Sequence, residues 1–236
     1  MSSPIPLPAL LLVHGAWHRK EMWTQLIDEL TQMRPDLDIR TIQLPSSAPV
    51  PTDELGDLYD DAATIRNAVD GIDGPIVVMS HSYGGAPTSQ GLAGAQNVAR
   101  LIYLCAFQLD VGESMESALG GRPYFWGVTG EGYYNMLDGE KVFYPDLSPE
   151  AAAKATVALG PQSERAMSQQ LTQAAWRSID STYIFADNDV HPEAFTGLAK
   201  RANRIKHISS AHSPFLSQPK ELAQIVLDEL DEAAPQ

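Results

Sequence analysis

Six short apolar runs punctuate the chain, each bounded by turn-forming residues: Ala9–Val13, Asp38–Ile42, Pro75–Ser80, Arg100–Cys105, Thr182–Ala186 and Arg204–Ser209. They read as strands covered on both faces, the pattern of a parallel sheet. Helix-period segments lie between them. The clearest is Asp53–Ile72, where Leu55, Leu58, Tyr59, Ala62, Ile65, Val69 and Ile72 recur at three- and four-residue steps. Asp57, Asp60, Asp61 and Arg66 fall on the other face of that stripe. Thr52 and Asp53 are candidate N-terminal caps and Gly71 a candidate stop. Strands alternating with helices predict an α/β fold around a doubly wound, mostly parallel sheet of about six strands.

The alternation breaks after Phe107. From Asp110 to Arg177 no parallel-sheet strand is evident, and glycines and aromatics (Gly120, Gly121, Tyr124, Phe125, Trp126, Tyr133, Tyr134) take over. A helix is expected from Ser148, with that serine as cap and Pro149 in the first turn. A second is expected over Ser163–Arg177. The sheet pattern resumes at Thr182. The expected organisation is therefore a core of residues 1–109 and 178–236, with residues 110–177 inserted as a cap over the sheet's carboxyl edge.

Composition narrows the partners. The formal net charge is −14, which repels phosphate backbones and anionic headgroups, so neither nucleic acid nor a membrane surface is an expected partner. The apolar, proline-rich stretch Met1–Leu12 has no basic start and no small-residue cleavage site, so it does not read as a signal peptide. No apolar run reaches the ~20 residues needed to span a bilayer. A cytoplasmic enzyme is the default expectation. Cys105 is the single cysteine, which excludes an internal disulfide and a cysteine metal cluster. Its place in an apolar strand predicts an inert, buried thiol.

The chemistry concentrates in Ile76-Val-Val-Met-Ser-His-Ser-Tyr-Gly-Gly-Ala86, a β-branched strand running into a turn and a helix of small residues. The segment resembles the nucleophile elbow of α/β-hydrolases, small-x-Ser-x-small-small, with Ser80 where glycine is more usual. On a tight, strained turn the residues two before and two after Ser82 must be small, so that strand and helix can approach. The turn lifts the Ser82 hydroxyl above the sheet. His81 follows the strand and could be mistaken for a base, but side chains of adjacent residues on such a turn are expected to diverge.

Three further segments carry the same resemblance. Leu11-Leu-Val-His-Gly-Ala-Trp-His18 is similar to the strand-then-His-Gly loop that supplies one oxyanion donor. By that likeness the Ala16 and Tyr83 backbone N–H groups form the oxyanion hole, and His14 steadies the loop. Ile208-Ser-Ser-Ala-His-Ser-Pro-Phe215 resembles the way family members present the base, which makes His212 the candidate. Tyr183-Ile-Phe-Ala-Asp-Asn-Asp-Val-His-Pro192 resembles the acid turn and favours Asp189. Asp187 in the same turn, and Asp110 after the preceding strand, remain alternatives. A metal set of Asp187, Asp189 and His191 is less consistent with that use of Asp189.

Taken over nearly the whole chain, the resemblance is to the compact α/β-hydrolase branch of plant methyl-ester esterases, hydroxynitrile lyases and bacterial esterases. It implies a cofactor-free serine hydrolase that cleaves a small-molecule carboxylic ester through an acyl-Ser82 intermediate. Plant-type lyases of this branch carry Thr after the loop histidine and Lys after the catalytic one. Gly15 and Ser213 stand here, which argues against cyanohydrin cleavage. Lactone or C–C cleavage on the same triad is the enzymatic alternative, and a non-catalytic ligand receptor is the alternative of another class. Trp17, Trp126 and Tyr133 are the candidate substrate contacts, with no metal and no cofactor expected.

Overall fold

The computed structural model describes residues 8–234; residues 1–7 of the apolar N-terminal stretch lie outside that range. Among the described residues nine strands run in chain order: β1 (Ala9–Val13), β2 (Ile39–Ile42), β3 (Ile76–His81), β4 (Val98–Leu104), β5 (Trp126–Val128), β6 (Tyr133–Met136), β7 (Gln162–Ser163), β8 (Ser181–Ala186) and β9 (Arg204–Ile208). Six of them form one parallel sheet in the order β2-β1-β3-β4-β8-β9. The crossovers are helical, as parallel neighbours require. One apolar layer lies on each face. One is built on Leu11, Val13, Val78, Leu101 and Tyr103, the other on Leu10, Leu12, Val77, Met79 and Ile102, the alternate residues of the same strands.

The central strands β1 and β3 are buried along their whole length, as their unbroken apolar runs predict. The edge strands differ from expectation. β2 is nowhere fully buried, and in β9 half-buried and exposed residues alternate until Ile208. An edge strand has one neighbour, so polar residues such as Arg40 and Lys206 keep access to water.

The periodic segment Asp53–Ile72 becomes a helix over Leu58–Asp70, later than expected. Thr52–Glu54 form a separate 3-10 turn, and the cap is Asp57. Its carboxylate accepts from the Tyr59 and Asp60 N–H groups, while the Asp60 carboxylate accepts from the Asp57 N–H. That reciprocal box satisfies donors that Thr52 and Asp53 are too far upstream to reach. Gly71 ends the helix as expected. Asp61 departs from the polar-face reading, being fully buried.

Between β4 and β8 the chain builds a second, antiparallel sheet in the order β5-β6-β7, with a helix over Pro149–Val157 capped by Ser148. The helix expected over Ser163–Arg177 is broken. It spans only Glu164–Ser168, and a 3-10 turn follows at Ala175–Arg177. In between, backbone partners come from elsewhere. Leu171 N–H donates to the Glu113 carbonyl, the Leu171 carbonyl accepts from Gly112, and the Thr172 N–H donates to the Gln90 side chain. Long-range bonds of this kind replace the i→i−4 ladder.

Candidate active site

Ser82 sits where β3 gives way to a short 3-10 turn and the helix Gly85–Gly91, with φ at +51°. A non-glycine residue in the left-handed region stores strain, and the surroundings must over-determine it. They do so by close packing. A Cβ added at Gly84 would lie 2.5 Å from the His14 carbonyl oxygen, and one at Gly15 would lie 2.8 Å from His81 Nδ1. The elbow and the His14-Gly15 loop are thus pressed together with no room for side chains. The same loop turns at Trp17, whose φ is +62°. Within it the Ala16 N–H has no acceptor among the described residues. Tyr83 lies in the first turn of its helix, where N–H groups have no intrahelical partner.

His212 follows β9 and Asp189 follows β8, two neighbouring strands whose ends bring the side chains together. His212 Nδ1 and Asp189 Oδ2 are 2.7 Å apart. The second carboxylate oxygen accepts from the His191 N–H at 3.0 Å. Burial by itself would raise the Asp189 pKa. The charge and N–H of His212, with the His191 amide, outweigh it and hold the carboxyl below its usual range. The imidazole is clamped between the rings of Phe143 and Phe195, with centroids at 5.4 and 5.5 Å and planes within 25° of its own. Its Nε2 is buried without a partner. No hydrogen bond joins it to the Ser82 hydroxyl in this structure, though the two residues line one cavity. Such bonds commonly tighten only when substrate is bound.

That cavity holds about 320 Å3 and is walled mostly by apolar groups, among them Trp17, Phe107, Leu119, Trp126, Phe143 and Phe195. Trp17 and Trp126 therefore stand where the sequence suggested. Tyr133 does not. It lies on β6, paired with Ser163 of β7, and is absent from the lining. Tyr124 and Phe125 line the cavity in its place.

The other acids are engaged elsewhere. Asp187 pairs with His207 at 2.7 Å on the exposed end of the sheet, and Asp110 is held by the Arg177 guanidinium. His191, of the metal set considered above, lies 3.4 Å from Glu193.

Three features were not legible in the sequence. His81 is absent from the cavity that Ser82 lines, yet it touches the proposed base. Its Nε2 lies 2.9 Å from the His212 carbonyl oxygen and its ring packs 4.8 Å from the His212 ring. Burial, then the neighbouring His212 and His18, push its pKa well down, so it is neutral and donates from Nε2. Cys105 is buried as expected, but its surroundings are not purely apolar. Its sulfur and the ligand atoms of Asp189 and His212 all lie within 4.8 Å of one another. Burial, then the Asp189 charge, raises the thiol pKa well above its usual value. Asp61, read as a surface residue, accepts from the Tyr83 hydroxyl at 2.6 Å and the Ser46 N–H at 2.8 Å. Ser46 Oγ accepts from the Gln162 side-chain amide, whose Oε1 accepts from the Trp17 N–H. A chain of hydrogen bonds thus runs from the elbow through a cap strand to the His14-Gly15 loop. The paired small residues at the elbow gave no hint of it.

Residues 10–225 match the sequence profile of the Alpha/beta hydrolase family. The chain belongs to that family. It is 32% identical to the α/β hydrolase nvfD of Aspergillus novofumigatus, over 96% of this chain and 98% of that protein. Among solved structures, an extracellular α/β-hydrolase from a Paenibacillus species superposes with a TM-score of 0.83 at 15% identity, covering 98% of this chain and 100% of that one. A pyrethroid hydrolase from Sphingobium faniae JZ-2 superposes with a TM-score of 0.80 at 21% identity, covering 96% and 98%. At these identities the two structures speak for the α/β-hydrolase fold alone.

Proposed function

We propose that this α/β hydrolase cleaves carboxylic esters with an uncharged, apolar acyl or alcohol group, through an acyl-Ser82 intermediate. His212 takes the Ser82 proton through Nε2 as the hydroxyl attacks the ester carbonyl, and returns it to the leaving alcohol. Asp189 fixes the imidazole with the proton on Nδ1 and stabilises the imidazolium that forms. The Ala16 and Tyr83 amides hold the alkoxide, a contribution worth about 10²–10³ in kcat per donor in enzymes of this kind. Water then attacks the acyl-enzyme with His212 again as base.

The observation that carries this reading is the 2.7 Å bond from His212 Nδ1 to Asp189, which leaves the buried Nε2 without a partner in a residue that lines one cavity with Ser82. The apolar walls favour a neutral substrate, and Asp189, His191, Glu193 and the Tyr124 phenol are the charged or titratable groups on the lining besides His212. The relatives' hydrolase names are consistent with it.

Turnover of p-nitrophenyl butyrate, together with a single fluorophosphonate adduct mapped to Ser82 by peptide mass spectrometry, tests the proposal. Cyanide release from mandelonitrile without ester turnover would point to a lyase instead. Absence of both activities and of the adduct would favour a binding protein.

A further inference from the structure

Behind the active-site cavity lies a second, larger one of about 620 Å3. The two share a wall made of successive residues that face opposite ways. Trp17 and Phe143 line the first cavity, while His18 and Tyr144 line the second, His18 Nε2 and the Tyr144 hydroxyl lying 2.9 Å apart. Apolar groups supply most of the rest: Met22, Leu147, Leu159, Phe215 and Leu216. The cavity opens between the cap helix Pro149–Val157 and the core helix Thr24–Met33, which contribute Lys154 and Gln25 to its lining.

One group in this setting is unsatisfied. Arg19 lines the cavity, and its Nη1 has no acceptor among the described residues. Nine of the ten arginines form ion pairs with carboxylates among the described residues, and Arg19 forms none there, in a chain of net charge −14. Its guanidinium lies against Gly160, where any side chain would run into Nη2. Lys154, on the same lining, makes no ion pair either. Glu21 is the only carboxylate among the lining residues; it is exposed and forms no salt bridge with Arg19. A guanidinium on a cavity wall with no carboxylate against it is an open position for an anion, which gains a charge-assisted hydrogen bond there.

We propose that this second cavity is a binding site for a small monocarboxylate with an apolar tail. The carboxylate pairs with the Arg19 guanidinium with Lys154 adding positive charge, and the tail lies against Leu147, Leu159 and Phe215. A planar carboxylate matches the guanidinium fork. A more highly charged anion meets Glu21 and the negative field of the whole chain. A cavity of this size with apolar walls and few polar groups is also the usual form of a small-ligand site. The proposal does not rest on the chemistry at Ser82.

Isothermal titration of the full chain with octanoate tests it. The expected result is saturable one-to-one binding, weakened about tenfold or more in Arg19→Gln, as loss of a charged hydrogen bond implies. Ala155→Trp, which fills the cavity from the cap side, should abolish binding while p-nitrophenyl ester turnover persists. 1-Octanol should bind at least about tenfold more weakly than octanoate, since it lacks the charge. Thermal melts of both variants establish that they are folded. Octanoate binding unchanged in both folded variants would place the ligand in the active-site cavity and overturn the proposal. No saturable binding to the wild-type chain would overturn it too, leaving solvent as the partner of Arg19.

Discussion

The parallel sheet and the cap above it are built on different principles, and the candidate site divides along the same line. The groups proposed for chemistry all hang from the sheet: Ser82 after β3, Asp189 after β8 and His212 after β9. Of the strands beneath them β3 and β8 have neighbours on both sides, and the edge strand β9 is pinned by β8. The cap's strands are only two to four residues long, and its connections pass through Gly120, Gly121, Gly130 and Gly132, all at positive φ. From this half come Leu119, Phe125, Trp126 and Phe143 of the cavity wall. A rigid sheet edge is suited to holding reacting groups to fractions of an ångström, and a loosely patterned cap to varying what is bound. Substitutions on the sheet side should therefore act on kcat, and those on the cap side on KM.

The sharpest break of that contrast would come at Ser82. Ser82→Ala should remove ester turnover by several orders of magnitude and leave the melting temperature nearly unchanged. Serine knock-outs in a hydrolase with an established triad cost about 10⁶ in kcat. Alanine also relieves none of the left-handed strain, since it too carries a Cβ. A variant retaining more than a few per cent of activity would remove Ser82 from the chemistry.

Next in size is the acid. Asp189→Asn keeps the shape but lets the amide favour the wrong imidazole tautomer, and the expected loss is about 10⁴ in kcat. Asp187→Asn should cost only about 1 kcal/mol of stability, through its bond to His207. Asp110→Asn disturbs a surface pair with Arg177 and should be kinetically silent. Steady-state kinetics on the three variants separate these outcomes. Near-normal turnover in Asp189→Asn with a dead Asp110→Asn would move the acid to the turn after β4.

On the cap side, Leu119→Ala should raise KM for a p-nitrophenyl hexanoate several-fold, about the effect of one to two kcal/mol of lost apolar contact, with kcat little changed. The acetate ester, too short to reach that wall, should be almost indifferent. Equal losses on both esters would mean that the cap shapes the reacting groups as well as the pocket.

The same division explains what could be read from the chain. Strands such as Ile76–His81 announce themselves because both faces are buried, and the run up to Ser80 is all apolar or small. The elbow is legible because steric crowding at Gly84 leaves no alternative. In the cap no such constraint acts. A two-residue strand like β7 has no period to detect, and the break after Ser168 depends on Gly112, Glu113 and Gln90, far away in sequence. Asp61 shows the limit within the core itself. Its helical position is correct, but only the fold shows that Tyr83 and Ser46 cover it. Tyr133 and Tyr134 are neighbours of the same type, yet one is half-buried and the other fully buried in the core. Choosing between them needed the strand register.

The smallest effect concerns the seam between the two halves, where His14, His18 and His81 are buried and His18 meets Tyr144 of the cap. Burial lowers the pKa of His14 to about 4 and of His18 to about 3, and that of His81 also falls well below the usual imidazole value. In the unfolded chain these rings take up protons near pH 6.5. Below that pH the unfolded state binds more protons than the folded one, so their contribution to stability is complete above about pH 6.5 and is lost as pH falls toward 4. Asp61 works in the opposite sense. Burial raises its pKa to about 7, so between the unfolded carboxyl value and 7 the folded state holds the extra proton, and lowering the pH favours folding. Three histidines oppose one carboxyl, and the melting temperature should fall by several degrees from pH 7 to pH 4.5. Asp61→Asn removes the opposing group, so its melting temperature should fall more steeply than wild type over the same interval. Calorimetric scans of both proteins at a series of pH values measure the difference. A wild-type melting temperature that rises on acidification would mean that Asp61 outweighs the histidines at the seam.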